Sequence, residues 1–359
     1  MALAAGLTAG SGSEDGTPES PPSEAAALRA VDRLTLRKQV GQLLVSSFDG
    51  TSVPAYMRHR LRAGETAGVI LFAGNGGTPA VWSALTGEVQ RAAGGDALVA
   101  VDQEGGAVRT LPFAGPGPGQ PDQGAPANVA RLARAAAGRL RGVGVNVNLA
   151  PVADVAVGSS VMGSRAFAGG PEAVAASARA AVAGYRSGRI AATAKHFPGL
   201  GAATVNTDDG PAAVTASRAL LDRRELAPFI AAVDERVPLV MLSHALYPAL
   251  DGRRIASQSA AVVGDLLRVR MGFRGVVVTD SLEAAAVLAR SGIATAAERS
   301  VGAGADLILM TGSASWNDVF PRLLDRARRS PTFRQRVRRG AARVLALKRA
   351  LGLRAPTPR

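Results

Sequence analysis

Short runs of β-branched and aliphatic residues recur along the chain at 42–46, 68–72, 97–101, 145–149, 190–194, 239–242, 275–279 and 306–310. Runs this short and this uniformly apolar predict strands buried on both faces, as in a parallel sheet. Longer segments with helical spacing of Ala, Leu and Arg lie between them. Their punctuation is legible: Thr78-Pro79 and Pro171-Glu172 mark helix starts, and Gly272 marks a stop before the seventh run. Eight strand–helix units predict an α/β fold, a single-domain (β/α)8 TIM-type barrel, with an open doubly wound sheet as the alternative.

The polar residues that follow these runs give the pattern a chemical meaning. The third run leads into Asp102-Gln103-Glu104-Gly105-Gly106, the fourth into Pro151-Val152-Ala153-Asp154 and the fifth into Lys195-His196-Phe197-Pro198-Gly199. The sixth and seventh lead into Ser243-His244 and Thr279-Asp280-Ser281. In a barrel the carboxyl ends of the strands share one rim, where active sites lie. Taken alone, a strand-end Asp reads as a helix cap and a lone His as a hydrogen-bonded core residue. Five such events on one rim predict a functional site.

Composition narrows the chemistry. The chain has 359 residues, 47% hydrophobic and 19% charged, enough to bury a large core, and no cysteine, so disulfides, thiolate metal sites and cysteine nucleophiles are excluded. Gly76-Gly77 and Gly105-Gly106 fit neither a dinucleotide fingerprint nor a P-loop, and no three-ligand metal spacing stands out; no cofactor and no metal are expected. The remaining carboxylates suit glycosidic bond cleavage, in which one carboxylate attacks the anomeric carbon and an acid protonates the leaving oxygen. A lysine at a strand end also fits a Schiff-base aldolase.

The net charge of +14 comes from arginine, since Lys38, Lys195 and Lys348 are the only lysines. The densest basic stretch, 322–343, lacks interleaved aromatics, so nucleic acid is not an expected partner; association with anionic cell-wall polymer is. Residues 1–27 are small, Pro-rich and acidic without periodicity. They read as a disordered N-terminal segment, or an export-signal remnant with a linker, ahead of a barrel spanning 28–355. Export to the cell envelope or beyond is expected, the alternative being a cytoplasmic tail. No apolar stretch is long enough for a transmembrane helix.

Lys195-His196-Phe197-Pro198-Gly199-Leu200-Gly201 and Gly272-Phe273-Arg274-Gly275-Val276-Val277-Val278-Thr279-Asp280-Ser281-Leu282 resemble the two signature segments of family 3 glycoside hydrolases. Asp102-Gln103-Glu104-Gly105-Gly106, Asn148 to Asp154, Gly163-Ser164-Arg165-Ala166-Phe167 and Arg343-Val344-Leu345 follow in family order. The resemblance, over about 34–353, is to the single-domain β-N-acetylglucosaminidases. It implies a retaining exo-glycosidase acting on a small carbohydrate of peptidoglycan or chitin type. Asp280 would be the nucleophile; Asp102, Arg165, Lys195 and His196 would grip the sugar, with Asp154 and His244 adjoining.

Two departures accompany it. The family's acid/base pair, Asp and His two residues apart, is replaced by Asn206 and Asp208, and its arginine eight residues after Asp102 by Thr110, with Arg109 one place off. Asp208 or Asp209 is then the candidate acid/base. The alternatives are a weakly active or non-catalytic carbohydrate-binding relative and a β-glucosidase-type specificity.

Overall fold

A computed structural model describes residues 24–354. Eight strands form one sheet: β1 Leu44–Ser46, β2 Gly68–Ile70, β3 Leu98–Val101, β4 Val147–Asn148, β5 Ala191–Phe197, β6 Leu239–Leu242, β7 Val276–Thr279 and β8 Ile308–Met310. Every pairing between them is parallel, and Leu44 of β1 pairs with Ile308 of β8. Val278 bridges Leu307 in parallel, which brings β7 to β8 and closes the ring. The eight runs are the eight barrel strands, and the open-sheet alternative is excluded.

Why these runs became strands follows from where their side chains go. One alternate set, including Val45, Ile70, Leu98, Met241, Val278 and Leu309, fills the barrel interior. The other set, including Leu44, Val69, Val99 and Val277, packs outward against the helices. Each strand is therefore apolar on both faces. The helix Pro331–Ala350 underlies the amino-terminal end of the barrel, where Val344 and Leu347 join the interior cluster. Its Lys348, only 2% exposed, donates to Gln42 and Asp96, so the buried ammonium is paired.

The helix signals hold locally. Thr78 caps the helix Pro79–Ala93 by accepting from the Val81 N–H, Pro171 opens Pro171–Ser187, and Gly272 has φ 67° beyond the helix Ala261–Arg270. The expected boundary at 28 lies within the helix Glu24–Asp32, whose Ala27 is buried; residues 1–23 lie outside the described residues. One expectation needs correction. Strand β5 does not stop at 194 but runs to Phe197, which pairs with Leu242, so Lys195 and His196 sit on the strand itself.

Candidate active site

The carboxyl ends of the strands open into a cavity of about 710 Å³. Its apolar floor is the top layer of the barrel: Ile70, Leu149, Met241 and Leu309. Its walls carry Asp102, Glu104, Arg165, Lys195, His196, Asp208 and Asp280. Lys195 and His196 are consecutive on β5 yet both face the cavity. The pairing of β5 with β6 shifts register between Ala194 and Phe197, and the Lys195–His196 peptide is cis.

Two residues apart on an extended segment, Asp102 and Glu104 reach the same side. Lys195 Nζ lies 2.7 Å from Asp102 Oδ1 and 2.7 Å from Glu104 Oε1. Arg165 donates from Nε and Nη2 to the two oxygens of Glu104, at 2.9 and 2.6 Å. Two cations thus balance two carboxylates. Burial alone would raise the Glu104 pKa, but Lys195 and Arg165 overcome it and hold the carboxyl down at about 2. Burial likewise opposes the charged form of Lys195, and Asp102 and Glu104 more than reverse it, leaving its pKa raised.

Glu104 was not among the residues singled out from the sequence, though its alternation with Asp102 was the available signal. Its folded-state pKa is below the ordinary 4.5, so the stability it confers is complete above that pH and lost as pH falls toward about 2. The stability gap between wild type and Glu104→Gln in urea titrations should therefore shrink as the pH is lowered through that window. A gap independent of pH would remove Glu104 from the charge balance.

Behind this wall, Asp154 is fully buried. Its Oδ2 accepts from His196 Nδ1 at 2.8 Å, and its Oδ1 accepts from the Leu200 N–H at 2.7 Å. That fixes the imidazole and turns Nε2 toward Asp280 Oδ2, 3.8 Å away. His244 is also fully buried. Its Nε2 donates to the Ser281 carbonyl at 2.9 Å, and its Nδ1 shares a hydrogen bond of 2.7 Å with Ser257 Oγ. Burial lowers the His244 pKa, which favours the neutral ring. Neither Asp154 nor His244, both expected beside the substrate, lines the cavity. They position His196 and Ser281 from behind.

Asp280 stands at the end of β7, with Oδ1 accepting from the Ser281 N–H at 2.8 Å. Burial would raise its pKa, but the neighbouring His196, His244 and Lys195 and the Ser281 N–H together lower it, which favours the carboxylate. Across the cavity Asp208 is raised, by partial burial first and then by the negative charge of Asp280. It opens to solvent through the cavity mouth, and a sugar covering it would push it further. The two carboxyls are driven in opposite directions.

The segment bearing Asp208 is pinned by backbone. The Ala285 N–H donates to the Asp208 carbonyl and the Ala286 N–H to that of Thr207, tying the segment to the turn that follows Asp280. Asn206 Oδ1 accepts from the Asp208 N–H at 3.3 Å. Asp208 and Asp209, the two candidates from the sequence, are both exposed, but only Asp208 lines the cavity. Upstream, Gly201 passes so close to β4's following loop that an added Cβ would lie 2.0 Å from the Val155 carbonyl oxygen. Gly201→Ala should destabilise the fold by about 1–3 kcal/mol, read as a lower urea midpoint. Unchanged stability would show that this approach is not enforced.

Among the described residues, no group of three or more His, Asp or Glu side chains is arranged to hold a metal, and no helix is long and apolar enough to cross a membrane. The profile of the Glycosyl hydrolase family 3 N terminal domain matches residues 35–347. The chain belongs to glycosyl hydrolase family 3. It is similar to a protein named beta-hexosaminidase from Xanthomonas oryzae, 33% identical over 278 residues, covering 75% of this chain and 83% of that one. Among solved structures, a family 3 β-N-acetylglucosaminidase from Paenibacillus superposes with TM-score 0.83 at 34% identity over 89% of this chain, which spans 63% of its length. A β-N-acetylhexosaminidase from Beutenbergia cavernae gives TM-score 0.82 at 32% identity, covering 88% of this chain and 98% of that one. Lys195-His196-Phe197-Pro198-Gly199 and the segment around Asp280, on which the family resemblance rested, converge on the one cavity. The aldolase reading of Lys195 falls with this family membership, and the lysine's ammonium is held charged by two carboxylates.

Proposed function

We propose that the protein is a retaining exo-glycosidase that removes β-linked N-acetylglucosamine from peptidoglycan- or chitin-type fragments. The observation that carries this is the pair of cavity carboxyls, Asp280 held ionised and Asp208 held toward its proton, on segments tied to one another by backbone hydrogen bonds. A retaining mechanism needs this division of roles. Asp280 attacks the anomeric carbon while Asp208 protonates the departing oxygen. Asp208, now ionised, then takes a proton from water as that water displaces Asp280. Lys195, Arg165, Asp102 and His196 hold the ring hydroxyls. With Asp102, Glu104, Lys195 and Arg165 already oriented by one another, little ordering is required on binding.

The relatives named as hexosaminidases and N-acetylglucosaminidases support the choice of sugar. The +14 charge supports an anionic polymer of the cell wall as the surrounding of the substrate and, with the small, Pro-rich segment ahead of the barrel, export as the route there. A panel of p-nitrophenyl glycosides tests the sugar, with N-acetyl-β-glucosaminide expected to give the highest kcat/KM. A β-glucoside preference would overturn that choice. Sugar binding without turnover on any member of the panel would overturn the enzymatic reading. Cell fractionation tests the location.

A further inference from the structure

Every cation in the cavity wall but one is neutralised. Lys195 faces Asp102 and Glu104, and Arg165 faces Glu104, so the deep clamp closes on itself electrically. Arg109 is the exception. It lies in the hairpin formed by Gln103–Gly105 and Val108–Arg109, which stands over the carboxyl end of β3, and it lines the cavity. Its Nε donates to the Gly106 carbonyl at 2.7 Å, which fixes the guanidinium plane. Among the described residues its two Nη groups meet no acceptor and no carboxylate lies within ion-pair distance. Asp280 has other partners: His196 Nε2 lies 3.8 Å from its Oδ2 and the Ser281 N–H donates to its Oδ1.

The position of this cation says what it can meet. Lys195 and Glu104 are 2% and 3% exposed at the bottom of the clamp, whereas Arg109 is half-buried at the rim. A ring hydroxyl is adequately held by neutral donors or by the balanced clamp. A fixed guanidinium with two free Nη groups in a concave site matches a planar carboxylate instead. In a retaining exo-glycosidase the sugar being removed occupies the depth and the leaving residue occupies the rim.

We propose that Arg109 is a specificity-determining residue that selects substrates carrying a carboxylate on the leaving residue. This rests on the reading of the cavity as a glycosidase site. Its test uses binding as well as turnover, so that the two can fail separately.

Two pairs of ligands distinguish the location of the anion. Di-N-acetylchitobiose is compared with its aldonic acid, in which the carboxylate is on the leaving residue. A β-glucosyl-terminated disaccharide is compared with the β-glucuronyl-terminated one, in which the carboxylate is on the sugar removed. Kd is measured by calorimetry in Asp280→Asn protein, with and without Arg109→Gln, and kcat/KM in the corresponding proteins with Asp280 intact. Arg109→Gln should lower the acid-over-neutral ratio in the first pair by about 10- to 100-fold, the worth of a charged hydrogen bond. Arg109→Lys should restore part of it, and added salt should weaken it. An unchanged ratio in both pairs overturns the proposal, and a change confined to the second pair overturns the placement on the leaving residue. The expected Kd ratios without turnover by the intact protein would leave Arg109 as an anion selector while refuting the glycosidase reading.

Discussion

Asp280→Asn should abolish turnover, with kcat lower by at least about 10³-fold, while the barrel stays folded and ligand affinity survives. The substitution keeps the shape that accepts the Ser281 N–H but removes the charge that attacks the anomeric carbon. A 2-fluoro glycosyl fluoride of the correct sugar should leave its label on the peptide containing Thr279-Asp280-Ser281 in wild type. Label on another carboxylate, with turnover intact in the Asn variant, would displace Asp280 from the nucleophile's role.

The second large effect concerns Asp208, and it depends on the substrate. Asp208→Ala should slow substrates with poor leaving groups, such as disaccharides, by about 10²- to 10⁴-fold, and activated aryl glycosides far less in their first step. Azide should restore part of the lost rate on activated substrates, because it attacks the glycosyl-enzyme without a base. The pH profile gives a second reading. Asp280 works ionised and its pKa is lowered, so it sets an acid limb below the ordinary carboxylate range. Asp208 works protonated and its pKa is raised, so activity should fall as pH rises through that value, and this alkaline limb should vanish in Asp208→Ala. Asp209→Ala should leave both limbs in place, since its side chain is outside the cavity. Equal rates in wild type and Asp208→Ala on both substrate types would send the search for the acid elsewhere.

The barrel was legible because its strands are buried on two sides, which leaves little room for polar residues within a run. The rim was legible only in part. Lys195, His196 and Asp280 stand where the runs end, and their neighbours in sequence also carry the family resemblance. Strand-end position does not say which way a side chain turns, however. Asp154 and His244 have the same sequence character as Asp280 but spend their hydrogen bonds behind the cavity. Glu104 escaped notice because its partner Arg165 is 61 positions away, a separation at which spacing carries no signal. Asp208 and Asp209 are adjacent and chemically identical on paper; only the folded segment, which places Asp208 and not Asp209 in the lining of the cavity that holds Asp280, separates them.

The closure of the ring between β1 and β8 also governs how the protein can be made. Leu44 leaves the ribosome early, and its partner Ile308 is among the last strand residues to be translated. At about 5–20 residues per second, the edge of the first strand waits on the order of tens of seconds for its neighbour. During that interval a nascent chain presents unpaired backbone and the apolar lining of a half-formed cylinder. Slowing translation late in the message, before Ile308–Met310 emerges, prolongs that exposure and should lower the yield of soluble protein.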